Sequence, residues 1–386
     1  MATLKCITAG ESHGPALLTI VQGMPAGIPL DTDLINRELA RRQGGYGRGA
    51  RQKIETDKAE FLAGVRLGHT IGAPLAVRIA NRDSRLDDQQ ATPPVHRPRP
   101  GHADLAGAVK RLDNDCRETL ERASARETAA RVAAGAVARC LLQQFDIRCF
   151  GFVRSIGDVT WDGEITAENL AEMCRRRDAS EVFCPDENVS RAMIDRIRST
   201  TVDKDTIGGL VETHIFNCPV GLGSCAWWED KLDARLAGAV MGIQAFKAVE
   251  IGLGKDCAFR PGSQVHDPIQ FSEEKRHTPM LGYTRSTNNA GGLEGGMTNG
   301  QPVVVRGAMK PISTLLRGLP SIDLRSLEPQ QSQYERSDVC AVPAASVVME
   351  NVAAFEIARA MVEKFAGDSL REMKTNYDNY LNAART

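Results

Sequence analysis

The chain has 386 residues, 42% hydrophobic and 25% charged, with 48 basic against 49 acidic side chains and a formal net charge of −1. This balance excludes a general nucleic-acid binder, which carries a basic excess, and no apolar run reaches the roughly 18 residues that cross a bilayer. The length can bury one large core, and without an internal repeat or a low-complexity linker the chain reads as a single domain over residues 1–386.

In chain order, a strand is expected over 16–21. A helix then starts at Asp31 or Thr32, sets Leu34, Ile35 and Leu39 on one face, and stops before Gly44 and Gly45. A strand over 75–79 precedes a long helix over 118–145, whose Ala129, Val132, Ala133, Ala136, Val137 and Leu141 form an apolar stripe at helical period. The pattern continues with a strand over 147–156, helices over 167–177 and 187–200, a strand over 209–216 and a helix over 230–249. A strand over 302–309 and helices over 344–365 and 369–381 close the chain. Helices and strands alternate irregularly, which predicts an α+β fold with mostly antiparallel sheets rather than a strict βαβ series. The ten cysteines show no zinc or redox spacing and read as reduced thiols, with no metal site. The first residues lack the basic stretch and apolar core of a secretory signal, so a cytoplasmic location is expected.

Arginine is locally dense although the net charge is not basic. The segment Arg97-Pro98-Arg99-Pro100-Gly101-His102-Ala103-Asp104 sets a histidine and arginines among rigid or small residues. Guanidinium forks match phosphate and carboxylate bidentately, so this surface suits a compact anion. Ser12-His13-Gly14 puts a histidine in a turn, and by itself this also reads as a locally bonded turn residue. The segment from Arg41 to Arg51 is a glycine-rich loop carrying Arg42 and Arg48. It matches neither a Walker A nor a dinucleotide turn, and it reads as either a mobile basic loop or a loop that closes over phosphate. The 291–300 loop is densest in glycine, which fits a backbone lying against a flat ligand or against another backbone, and Lys310 and Thr314 follow it. Arg336-Ser337-Asp338 precedes a helix and, alone, reads as a cap or a surface pair.

Together these segments closely resemble the chorismate synthase family, in the right order and over about Cys6 to Tyr380. The resemblance implies helices packed between antiparallel sheets in a β-α-β sandwich, a homotetramer, and one site shared by reduced FMN and 5-enolpyruvylshikimate 3-phosphate. It implies a lyase that performs a 1,4-anti-elimination, releasing phosphate from C3 and hydrogen from C6 to give chorismate. The catalytic positions it implies are His102 as the acid for departing phosphate, His13 as the histidine that protonates the reduced flavin, and Asp338 as the carboxylate that helps the flavin N5 take the C6 proton. Ser12, Arg42, Arg48, Arg99, Arg126 and Arg336 would hold the substrate. The flavin would lie against Ser124, Ala125, Arg126, Gln244, Ala245, Gly295, Lys310, Pro311, Ile312, Ser313, Thr314 and Arg336. Ser337 stands where many members carry histidine, and Gln244 where many carry asparagine. His69, His96, His214, His266 and His277 fall outside the motifs and are expected to be structural or on the surface.

Two other readings were weighed. An RNA binder would use the basic loops, but few aromatics accompany the arginines to form a stacking platform. A flavin oxidoreductase using NADPH would need a nucleotide site, and no separate dinucleotide fingerprint is present. The sequence leaves open whether the lyase reduces its own flavin, and an external flavin reductant is the expectation.

Overall fold

The computed structural model describes residues 3–49, 55–334 and 338–385. Arg51, Arg336 and Ser337 lie outside the described residues.

Strands Lys5–Ala9, Ala16–Gln22, Leu75–Ala80 and Glu60–Ala63 form a four-stranded antiparallel sheet in that spatial order. Leu17, Thr19 and Val21 point inward and face Ile79, Val77 and Leu75 across the ladder, while Leu18, Ile20 and Gln22 point out. The period-2 pattern is thus the inside-outside alternation of a sheet covered on one face. Helix α1 (Thr32–Gln43) follows, capped by the Asp31 side chain, which accepts from the Leu34 N–H. Short helices α2 (Asp104–Lys110) and α3 (Arg117–Ala123) precede α4 (Thr128–Gln143).

Strands Arg148–Ile156, Gly209–Phe216, Val303–Met309 and Phe246–Ile251 build a second antiparallel sheet, with Val159–Thr160 as its fifth strand. Helices α5 (Leu170–Ala179), α6 (Glu187–Val202) and α7 (Leu232–Met241) connect its strands. The chain ends with α8 (Val342–Phe365) and α9 (Leu370–Ala384).

Helices α4 and α8 pack on one another, α4 also against the four-stranded sheet and α8 against the five-stranded sheet, giving a sheet–helix–sheet sandwich. A helix enclosed on all sides needs apolar residues all round, and α8 is buried along nearly its whole length, from Val342 to Phe365. Small residues let the two helices close up: a Cβ on Gly135 would sit 2.2 Å from the Asn351 carbonyl oxygen.

Two expected helices are shorter than the sequence pattern suggests. The stripe over 118–145 is interrupted at Ser124, which is extended (ψ 141°) and whose side chain accepts from the Arg126 N–H. A single 3-10 turn, Ala125–Glu127, then leads into α4. The stretch over 230–249 also splits. After Gly242, Ala245 adopts a left-handed φ of 68°, and Phe246–Ile251 pairs with Val303–Met309 instead of extending α7. Both breaks fall where the chain enters the site.

Candidate functional site

Arg42, in the last turn of α1, is buried and bonds the Asp57 carboxylate at 2.8 Å. The Ser124 break turns Arg126 toward the same group: its Nη1 lies 2.7 Å from Asp57 Oδ1 and its Nε donates to Asn81 at 2.9 Å. Two buried guanidinium groups therefore share one buried carboxylate. Burial pushes the Arg42 guanidinium down and Asp57 opposes the shift, but repulsion from Arg126 and Arg48 helps leave it at about 10. Arg42 Nε, Arg48 Nε and Arg126 Nη2 are buried and have no hydrogen-bond partner among the described residues. Orphaned cationic donors gathered in this way point to an anionic ligand.

Arg48 is paired with Asp338 at 2.6 Å, and the Gly49 N–H donates to the same carboxylate at 2.6 Å. Tyr46 N–H donates to the Glu181 carbonyl and Val339 N–H to the Gly47 carbonyl. The glycine-rich segment, read from sequence as a mobile basic loop or a closing one, is docked by its backbone over 46–49. Its glycines serve close approach, since a Cβ on Gly45 would lie 2.7 Å from Pro343.

Next to Arg126, the Ser124 hydroxyl donates to the Ser12 hydroxyl at 3.1 Å. His13 Nδ1 sits 2.9 and 3.0 Å from the two oxygens of Glu121 on α3, and its Nε2 is 3.7 Å from Asp83. Burial pushes the Glu121 carboxyl up, but bonding and charge from His13, with Arg117 adding charge, hold it below the usual carboxylate range.

A second imidazole cluster opens α2. Arg99 bonds the fully buried Asp104 through Nε at 2.8 Å and Nη2 at 3.0 Å, and donates through Nη1 to Thr314 at 3.1 Å. His102 Nδ1 contacts the same Asp104 carboxylate. Burial pushes this carboxyl up, yet hydrogen bonds from His102 and Arg99 outweigh it and hold it well below the usual range. Gly101 (φ 77°) turns the chain so closely that a Cβ there would lie 3.7 Å from Ser313 and 3.8 Å from Lys310 Nζ. The 97–104 and 310–314 segments therefore share one wall.

The Lys310 N–H donates to the Ala245 carbonyl at 2.9 Å, and Thr206 bonds the Ile312 carbonyl, fixing the Lys310-Pro311-Ile312-Ser313-Thr314 strip. Gln244 Nε2 donates to Glu127 at 3.1 Å, tying this strip to the Ser124–Arg126 turn. Burial, with Lys247 nearby, pushes the Lys310 ammonium down. Gly295 is more remote. The Leu232 N–H donates to Gly296, so Gly295 sits at the start of α7 while Gln244 follows its end. That ten-residue helix spans about 15 Å, so only an elongated ligand reaches both.

Sequence reasoning missed Asp57, Glu121, Asp104 and Asp83, the carboxylates that hold the expected arginines and histidines in place. Asp104 and Glu121 lie inside the motifs, but nothing in their spacing marks them as counter-ions. Of the remaining histidines, His214 is a buried sheet residue bonded to Glu212 at 2.7 Å, while His69 and His96 bond backbone carbonyls at the surface. A cavity of about 240 Å³ lined by Arg139, Cys149, Leu170 and Cys174 shares no residue with the site. No group of metal-ligating side chains occurs among the described residues. Among them, no helix is long and apolar enough to cross a membrane.

The fold is α+β, and the candidate site gathers guanidinium and imidazole groups held by buried carboxylates. A sequence model described as chorismate synthase matches residues 4–362. Among curated relatives, the chorismate synthase of Desulforamulus reducens is 51% identical over 392 residues, covering 98% of each chain. That of Geobacter metallireducens is 49% identical over 394 residues, covering 99% of this chain and 100% of its own. A solved structure, titled as the crystal structure of chorismate synthase, superposes with a TM-score of 0.81 at 40% identity over 99% of this chain and 98% of the other. The chain belongs to the chorismate synthase family.

Proposed function

We propose that this protein is a cytoplasmic lyase that converts 5-enolpyruvylshikimate 3-phosphate to chorismate and phosphate by 1,4-anti-elimination with reduced FMN. This is the last step of the shikimate pathway. The reading is carried chiefly by the buried arginine cluster around Asp57, where Arg42 Nε and Arg126 Nη2 have no hydrogen-bond partner among the described residues. The substrate bears two carboxylates and a phosphate, and arginine answers each with a two-pronged fork that stays charged. Ser12, Arg42, Arg48, Arg99, Arg126 and Arg336 would hold it.

The residues also fit the flavin. Gln244 Oε1 is a buried acceptor with no hydrogen-bond partner among the described residues, suited to a ring N–H, and Lys310 with Lys247 suits a phosphate. Ser124, Ala125, Arg126, Gln244, Ala245, Gly295, the 310–314 strip and Arg336 would line it. Bound reduced FMN would supply transient electron donation and accept the C6 hydrogen, leaving no net redox change.

The chain's own groups supply the proton chemistry. As the C3–O bond breaks, His102 would protonate the departing phosphate while Arg99 balances its charge. His13 would give a proton to the reduced flavin from the ring nitrogen that faces it, leaving that nitrogen bare and the hydrogen on the other nitrogen in place. Asp338, kept in place by Arg48 and the Gly49 N–H, would assist removal of the C6 proton. The assembly would be a homotetramer supplied by an external flavin reductant, with no nucleic-acid or membrane partner.

The test is turnover of the substrate by wild type, His102→Ala and Asp338→Ala, each checked for folding. Each variant is expected to lose about 100-fold or more in kcat. Near-normal rates in both would remove these residues from the mechanism. A folded wild type that forms no chorismate with reduced flavin would overturn the reading.

A further inference from the structure

Glu121 is tied to the His13 turn at several points, and the function proposed above gives it no role. Its two carboxylate oxygens lie 2.9 and 3.0 Å from His13 Nδ1. One of them also accepts from the His13 backbone N–H at 2.9 Å. The Glu121 carbonyl accepts from the Ser12 N–H at 3.0 Å. All these contacts bridge α3 to a turn more than a hundred residues earlier (|i−j| = 108 for the His13 pair). The carboxylate is itself fixed: its side chain is 1% exposed, and Arg117, one turn earlier on α3, holds it at 3.3 Å.

An ionised carboxylate only accepts hydrogen bonds, so the ring nitrogen facing it carries the hydrogen. The opposite nitrogen, Nε2, is directed away from Glu121, and Asp83 stands 3.7 Å from it, beyond hydrogen-bond reach. Ser12 and Ser124, bonded at 3.1 Å, place this ring beside the Ser124–Arg126 turn. We propose that Glu121 is a positioning residue for His13: it fixes the Nδ1–H tautomer and ring orientation, and makes Nε2 the nitrogen that serves the bound flavin. The assignment rests on reading His13 as a flavin partner.

Glutamine at this position keeps the volume but can present an N–H to the ring, which favours the opposite tautomer. The experiment records ¹⁵N spectra of histidine-labelled protein without ligand, together with steady-state kinetics for wild type, Glu121→Gln and Glu121→Asp. Wild-type His13 should show a protonated Nδ1 and, when the ring is neutral, a bare Nε2; Glu121→Gln should shift population to Nε2–H. In the same variant kcat should fall about 10- to 100-fold, as for residues that orient a working group through a hydrogen bond. KM for the substrate should stay within about 2-fold, and Glu121→Asp should recover part of the rate.

A wild-type ring protonated at Nε2 alone overturns the proposal, even if no variant folds. So does a Glu121→Gln protein whose His13 signals are unchanged, or whose rate loss only tracks its folded fraction. The spectra need no turnover, so a wild type that made no chorismate would refute the proposed reaction while leaving the tautomer result to stand.

Discussion

Replacing Asp57 by asparagine removes the carboxylate that the buried Arg42 and Arg126 share. Arg42 approaches it at 2.8 Å and Arg126 at 2.7 Å, and the Asp57 side chain is fully buried. Arg42 already sits at about 10, with burial and the charges of Arg126 and Arg48 acting against it and Asp57 acting for it. Without Asp57, two like charges face each other with only Glu55, 3.7 Å from Arg126, as a described counter-charge in reach. Removing one partner from a buried pair costs about 3–5 kcal/mol. For 386 residues, the unfolding entropy at the midpoint is roughly 0.8 kcal/mol per kelvin. Asp57→Asn should therefore lower Tm by about 4–6 °C in differential scanning calorimetry. Glu60→Gln serves as the control, because its pair with Arg78 is exposed on both sides (56% and 40%) and exposed pairs contribute under about 1 kcal/mol. An Asp57→Asn protein that melts within about 1 °C of wild type would refute the claim that this carboxylate holds the cluster together.

Gly135→Ala should destabilise by about 3 kcal/mol, the upper part of the overpacking range, because its Cβ would meet the Asn351 backbone at 2.2 Å; urea midpoints check this, and an unchanged midpoint would refute the close α4–α8 contact. Asp104 has a folded pKa held below its unfolded value, so its contribution is present above about pH 4 and is lost as pH falls further. The stability difference between wild type and Asp104→Asn should accordingly shrink from pH 7 to about pH 3, and parallel acid limbs would contradict it. Lys310→Gln should weaken FMN binding about 10-fold or more, or about 1.4 kcal/mol, by fluorescence titration; equal affinity would place the flavin phosphate elsewhere.

Where one physical pattern dominated, the sequence was readable. Helix α8 declares itself through a long, mostly apolar run, and the strands at 16–21 and 75–79 because one face alone is covered. The break at Ser124 was hidden because alanines flank it on both sides, while its side chain caps the following turn through the Arg126 N–H. Phe246–Ile251 was hidden for another reason: its pairing with Val303–Met309 is non-local and outweighs the helical pattern before it. The arginines and histidines of the site stood out through their glycine and proline surroundings. Their counter-ions did not, since Asp57, Asp104 and Glu121 are ordinary acidic residues until folding sets them against Arg42 and Arg126, Arg99, and His13. Their separations run from 5 residues for Arg99–Asp104 to 108 for His13–Glu121, so no common spacing marks them.

The proposed reaction is an elimination that needs a reduced flavin yet consumes no electrons. An anaerobic assay tests it most directly: purified protein with 5-enolpyruvylshikimate 3-phosphate and either dithionite-reduced or oxidised FMN, following phosphate and chorismate together. Equal amounts of both products are expected over many turnovers with reduced FMN, the flavin remaining reduced, and neither product with oxidised FMN. Product formed equally well with oxidised flavin, or flavin oxidised in step with product, would contradict it.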